Sequence, residues 1–162
     1  MDYVSHGIWS YIIFNKIRRP FLAVIFGLLP DTMSWFIYAI YKIIITGTFG
    51  KPILSEIPNW VFMLYNISHS LFVAFGCIAI VWLILRKFPI YMLAWPIAIT
   101  IDFLTHTREF LPTPFLWPVS EWRFPGIKWS SAWFMILNYA LIAIFLTIII
   151  IKKKKSKPHH EQ

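Results

Sequence analysis

The apolar residues of this chain are gathered into runs of roughly 18 to 26 residues, separated by short charged or proline-containing breaks, and about 30 Å of hydrocarbon requires helices of that length. Such a pattern leaves few folds open. With 59% hydrophobic and 14% charged residues, the chain lies outside the balance of a soluble domain. Too few residues separate the runs for a soluble domain to fit between them. The expected fold is all-α: a polytopic membrane helix bundle of about four to five spans, with a broken or re-entrant N-terminal region. One membrane-embedded domain is expected over 1–151, followed by a basic solvated tail over 152–162.

Along the chain, YVSHGIWSYIIFN (3–15) is a short apolar segment, marginal for a full crossing. The stretch 20–46 would make one long span, except that Pro30 in GLLPD removes a backbone donor and crowds the preceding turn. Helices broken at membrane depth are tolerated where they face protein or a cavity. A Gly/Pro loop follows at 47–59, then spans at 60–85, 88–107 and 129–151, with a loop rich in Pro, Trp and Phe at 108–128. Residues 3–15 do not read as a cleavable signal peptide, since Asp2 and His6 replace a basic start and no small-residue cleavage site follows.

The formal charge of +8 would suggest nucleic acid in a soluble protein. Here Lys16, Arg18 and Arg19, then Arg86 and Lys87, then Lys152 to Lys155 and Lys157 all lie at the ends of apolar runs. That is a topology signal, and no nucleic-acid partner is expected. All three basic breaks face the cytoplasm if the chain crosses five times with its N-terminus outside. The lone Cys77 reads as a small apolar residue within a span.

An ionisable group in hydrocarbon costs a few kcal/mol or more unless paired or metal-bound, so each intramembrane Asp or His is a functional candidate. Asp102 and His106, at i and i+4, share one helix face, a spacing that suits joint ligation of an ion or orientation of the imidazole by the acid. A plain Asp–His hydrogen bond at a helix end is the alternative. His69 sits in a polar island with Asn66, Ser68 and Ser70, where a neighbouring carbonyl could equally satisfy it. Asp31 also fits an N-cap for a helix restarting at Thr32, and His6 an interfacial side chain. His159 and His160 in the tail carry no assigned role. In the five-crossing arrangement His6, Asp31, His69, Asp102 and His106 all reach the outer half of the bilayer. Together they form an N/O donor set suited to Zn²⁺ or a similar divalent metal. Such an ion would activate water and polarise a phosphoryl or carbonyl oxygen. Five candidates exceed one tetrahedral site: either two metals bind, or one or two of these residues serve as base or orienter. Asp102 and His106 are the candidate catalytic pair.

The ordered motifs SHG, GLLPD, SHS and IDFLTHTREFLPTPFLWPVS, spread over roughly residues 5 to 125, resemble the bacterial and archaeal membrane-bound, metal-dependent hydrolases of the YdjM type. The resemblance implies a multi-pass protein of the inner (plasma) membrane that binds metal through His6, Asp31, His69, Asp102 and His106, and it supplies no substrate. Related sequences carry a further His where this chain has Ala98, which implies fewer ligands here.

Pro112, Pro114, Pro118 and Pro125 stiffen the 108–128 loop, and Phe115, Trp117, Trp122 and Trp129 suit an aromatic belt at headgroup level. The loop reads as an interfacial lid, or as a gate whose Arg108 and Arg123 attract a lipid phosphate. The leading functional expectation is hydrolysis of a lipid or lipid-linked (phospho)ester, with membrane lipids as partners. Alternatives are a small transporter or proton relay, and an inactive metal-stabilised scaffold. A site crowded at one end of the spans and the lack of an inverted repeat favour the enzyme over the transporter.

Overall fold

The computed structural model describes residues 1–48, 50, 53–109 and 111–155. His159 and His160 lie outside them, as do the rest of the tail beyond Lys155 and parts of the loops at 47–59 and 108–128. Among the described residues the fold is all-α. Seven α-helices follow one another: α1 (Tyr3–Phe14), α2 (Pro20–Asp31), α3 (Ile37–Thr46), α4 (Asn59–Ser68), α5 (Leu71–Leu85), α6 (Ala94–Thr105) and α7 (Ala132–Lys155).

Fewer of these cross a membrane than the four to five spans expected. Among the described residues, two helical runs are long and apolar enough to cross, Pro20–Thr46 and Ala132–Lys155, or three if α4 and α5 are counted as one span bent by 57°. The bend falls at His69 and Ser70, within the polar island of the 60–85 run. The 88–107 run divides because Pro89 leads into a 3₁₀ turn, Ile90–Leu93, ahead of α6. At 12 residues each, α1 and α6 reach only about 18 Å.

Pro30 does not end its helix. The chain passes from α2 through a π-helical turn, Thr32–Phe36, straight into α3. The wider turn absorbs the donor and the space that proline removes. The Thr32 and Ser34 hydroxyls donate to the carbonyls of Leu28 and Pro30, at 2.8 and 3.0 Å. Asp31 therefore has helical backbone and caps nothing with its side chain, so the N-cap role suggested by the sequence is not the one it plays.

Two close approaches set the geometry of the site. Helices α1 and α2 run antiparallel, tied by Tyr3 to Thr32 at one end and by the Tyr11 and Phe21 rings at the other. They meet at Gly27, where a Cβ would collide with the Ser10 side chain. Helix α7 runs alongside α1 in the same direction. Asn138 accepts from the Trp9 indole at 2.9 Å and donates to the Ser5 hydroxyl at 2.7 Å, the Tyr139 hydroxyl donates to Asp2, and Lys153 reaches the Tyr11 hydroxyl. Asp2 in turn caps α1 at the Ser5 amide. Burial works against its ionisation, but the bonds from Ser5 and Tyr139 outweigh this and hold its carboxyl below the usual aspartate range.

The ends of α1 and α7 thus bring Lys16, Arg18 and Arg19 to the same side as Lys152 to Lys155, whose lysines continue α7 as its last turn. A small core of Ala74, Trp95 and Ile99, with Cys77 half-buried against it, packs α5 on α6.

Candidate metal centre

Three of the functional side chains, those of Asp31, His69 and His106, sit at a backbone irregularity or helix end, and those of His6 and Asp102 on regular helix. His6 lies one turn into α1, and its carbonyl accepts from the Ser10 hydroxyl beside the Gly27 contact. Asp31 precedes the π-helical turn, a kind of irregularity that recurs at functional sites. His69 is the residue at which α4 stops; Ser70 then caps α5 by accepting from the Val73 amide. Asp102 and His106 end α6. The indole of Trp95 donates to the Ser68 carbonyl at 2.7 Å, which fixes the α4–α5 bend to α6.

The five side chains selected from the sequence come together. His6 Nε2 is 2.9 Å from Asp102 Oδ1 and 4.0 Å from Asp31 Oδ2. His69 Nε2 is 3.5 Å from Asp31 Oδ1 and 3.6 Å from Asp102 Oδ2. His106 Nδ1 is 3.4 Å from Asp102 Oδ1. Ligand atoms of His6, Asp31 and Asp102 all lie within 4.8 Å of one another, the spacing of a group that could hold a metal ion. The side chains of His69, His6 and Asp102 are 0 to 1% exposed, whereas Asp31 at 15% and His106 at 12% mark the open side. The amino group of Met1 donates to Asp102 Oδ1 and Thr105 Oγ1.

Two imidazoles have a tautomer set by their neighbours. A backbone carbonyl only accepts. His69 Nδ1, 3.1 Å from the Tyr65 carbonyl, and His106 Nδ1, 3.0 Å from the Asp102 carbonyl, therefore carry hydrogen. For His69 this leaves Nε2 aimed at the two carboxylates. For His106 the nitrogen beside Asp102 serves the backbone, and Nε2 is the nitrogen left for proton work. Among the described residues, buried His69 Nε2, Asp102 Oδ2 and His6 Nδ1 have no hydrogen-bond partner. Orphans of this kind are costly unless another group joins them, and a divalent cation fits the donor set.

The 108–128 loop is strapped onto the site. Leu71 N–H donates to the Phe115 carbonyl at 2.9 Å, the Ser70 hydroxyl to the Trp117 carbonyl, and the Tyr65 hydroxyl to the Leu111 carbonyl at 2.8 Å. The amides of Gly126, Ile127 and Trp129 donate to the carbonyls of His106, Leu104 and Thr105, satisfying acceptors that the end of α6 leaves open. Phe124 stacks on Phe103, with Phe115 edge-on and Trp122 tilted against it, and Trp122 is half exposed. Arg108 and Arg123 donate to loop carbonyls, of Arg123 and Pro112 respectively, so both help hold the strap.

Sequence reasoning passed over Trp95, Asn138, Tyr65, whose ring lies 4.0 Å from that of His69, and the packing role of Gly27, the first residue of the GLLPD motif. Gly27 carried a signal in its motif and Tyr65 in its place at the edge of the polar island. No family model, curated protein or solved structure matches this chain.

Proposed function

We propose that this chain is a membrane-bound, metal-dependent hydrolase acting on a lipid or lipid-linked phosphoester. The observation that carries the reading is the buried grouping of His6, Asp31 and Asp102, built into a chain with helices long and apolar enough to cross a membrane. Zinc is the ion the N/O donors suit best. A divalent ion held there would polarise a phosphoryl oxygen and lower the pKa of a neighbouring water. Asp102 would anchor the ion, His106 would take the proton of the attacking water at Nε2, and the ester would enter past Asp31 and His106, the more exposed members of the group. An amphiphile reaches such a site from the bilayer. The resemblance to the YdjM-type hydrolases and the basic helix ends support an inner-membrane, multi-pass protein with its lysine tail in the cytoplasm.

The test is hydrolysis by the protein in nanodiscs loaded with phospholipids and polyprenyl phosphates, read as released phosphate or phosphorylated headgroup. Turnover by wild type and its loss in Asp102→Asn and His106→Ala are expected. Metal-loaded protein that cleaves none of these esters would refute the reading in favour of a structural ion. One observation favours that second reading: the ligating residues come from α1, α2, the α4–α5 break and α6, so an ion would tie together elements too short to hold themselves.

A further inference from the structure

The two carboxylates face two histidines at once, each with a different oxygen. Asp31 turns Oδ2 toward His6 and Oδ1 toward His69; Asp102 turns Oδ1 toward His6 and Oδ2 toward His69. We propose that the centre is built for two cations bridged by Asp31 and Asp102, with His6 Nε2 serving one ion and His69 Nε2 the other. This rests on the metal-centre reading above and adds the second ion and the bridging role.

The separations on the His69 side are the first reason. At 3.5 and 3.6 Å they exceed the reach of an N–H···O bond, about 3.2 Å. A tetrahedral ion with bonds of about 2.0–2.1 Å sets its ligand atoms roughly 3.3–3.4 Å apart, close to what is seen. The tautomer is the second. With its hydrogen on Nδ1 facing the Tyr65 carbonyl, His69 aims Nε2 at two anionic oxygens, a position that calls for positive charge, either a cation between them or a second proton on the ring. The third is the pair of orphans: His69 Nε2 and Asp102 Oδ2, both buried and both without a hydrogen-bond partner among the described residues, belong to the same side.

Charge points the same way. Two carboxylates, one of them buried, face two imidazoles that are neutral as ligands, and on the His6 side the Met1 amino group that bonds Asp102 Oδ1 would give way to the ion. Carboxylate-bridged pairs of ions about 3.5–4 Å apart are a recurrent device for phosphoester cleavage, one ion for the attacking oxygen and one for the leaving oxygen. His6 and His69 lie on opposite sides of the same carboxylate pair, which gives that division a physical basis here.

The experiment is metal stoichiometry and electron paramagnetic resonance of the full chain in detergent, stripped and then reconstituted with Mn²⁺. Wild type should bind two equivalents and show a spin-coupled pair. His69→Ala and His69→Gln should each bind one and give an uncoupled signal, as should His6→Ala, while Asp102→Ala should bind none. Circular dichroism and gel filtration confirm that the variants fold, and the two His69 substitutions guard against loss of one to misfolding. One equivalent in wild type with an uncoupled signal would overturn the second ion while leaving a metal centre standing; His69 would then be an imidazolium between the two carboxylates. No bound metal in wild type would overturn both readings.

Discussion

Replacing Gly27 by Ala should weaken metal binding although Gly27 touches none of the proposed ligand atoms. An added Cβ would lie 2.8 Å from Ser10 Cβ and 3.4 Å from the His6 carbonyl oxygen, besides colliding with Ser10 Oγ. Carbon atoms settle about 3.5–4.0 Å apart, so α1 and α2 must separate locally by roughly 1 Å. Rotation of the Ser10 hydroxyl relieves the oxygen but cannot move its Cβ. Overpacking of this kind costs about 1–3 kcal/mol. His6 and Asp31 lie on opposite sides of this contact and are already 4.0 Å apart, while a binding constellation tolerates only about 0.5 Å of misplacement. If the strain falls on the metal-bound geometry, affinity drops about tenfold to a hundredfold. The assay is chelator competition with zinc on detergent-solubilised protein. Gly76→Ala is the control, because a Cβ there meets nothing within 4 Å. Combining Gly27→Ala with Ser10→Gly restores the space and should recover affinity, at a cost of about 1 kcal/mol in helix stability. Wild-type affinity in Gly27→Ala would refute the claim that this contact positions the centre.

Three further perturbations follow from the same geometry. Trp95→Phe strips the buried Ser68 carbonyl of its indole donor; it should cost about 1–3 kcal/mol and loosen the α4–α5 bend, read as faster hydrogen exchange around His69. Asn138→Ala should destabilise by a similar amount in thermal unfolding, because it leaves the Trp9 indole without its acceptor and takes one donor from the Ser5 hydroxyl, which keeps its bond to Asp2. Gly126→Ala places a Cβ 2.6 Å from the carbonyl oxygens of His106 and Leu104; it should lift the strap from α6 and raise protease cleavage within 120–130 over wild type.

The all-α class was legible in the apolar runs, and the five side chains that meet were legible because an ionisable residue in such a run needs a reason to be there. The number of crossings was not. A continuous apolar run looks the same in sequence whether it is straight or bent, and the 57° bend at His69 depends on the Trp95 and Ser70 bonds, which are tertiary. Pro30 misled in the other direction: a helix break is its ordinary effect, and only the three-dimensional neighbourhood supports the π-helical turn that avoids one. Asn138, one amide in an otherwise apolar helix, drew no notice because its partners Ser5 and Trp9 lie on α1. The aromatic loop looked like a free lid, since carbonyls that accept from Ser70, Leu71 and Tyr65 leave no trace in a sequence.

The central claim is that this His/Asp cluster holds a divalent metal, and elemental analysis of protein purified without chelator tests it most directly. Wild type is expected to carry at least about one equivalent of a divalent ion, zinc foremost, and the near-isosteric Asp102→Asn to lose it, because a first-shell carboxylate cannot be replaced by the groups behind it. Equal metal content in wild type and Asp102→Asn, or none in either, would contradict the account.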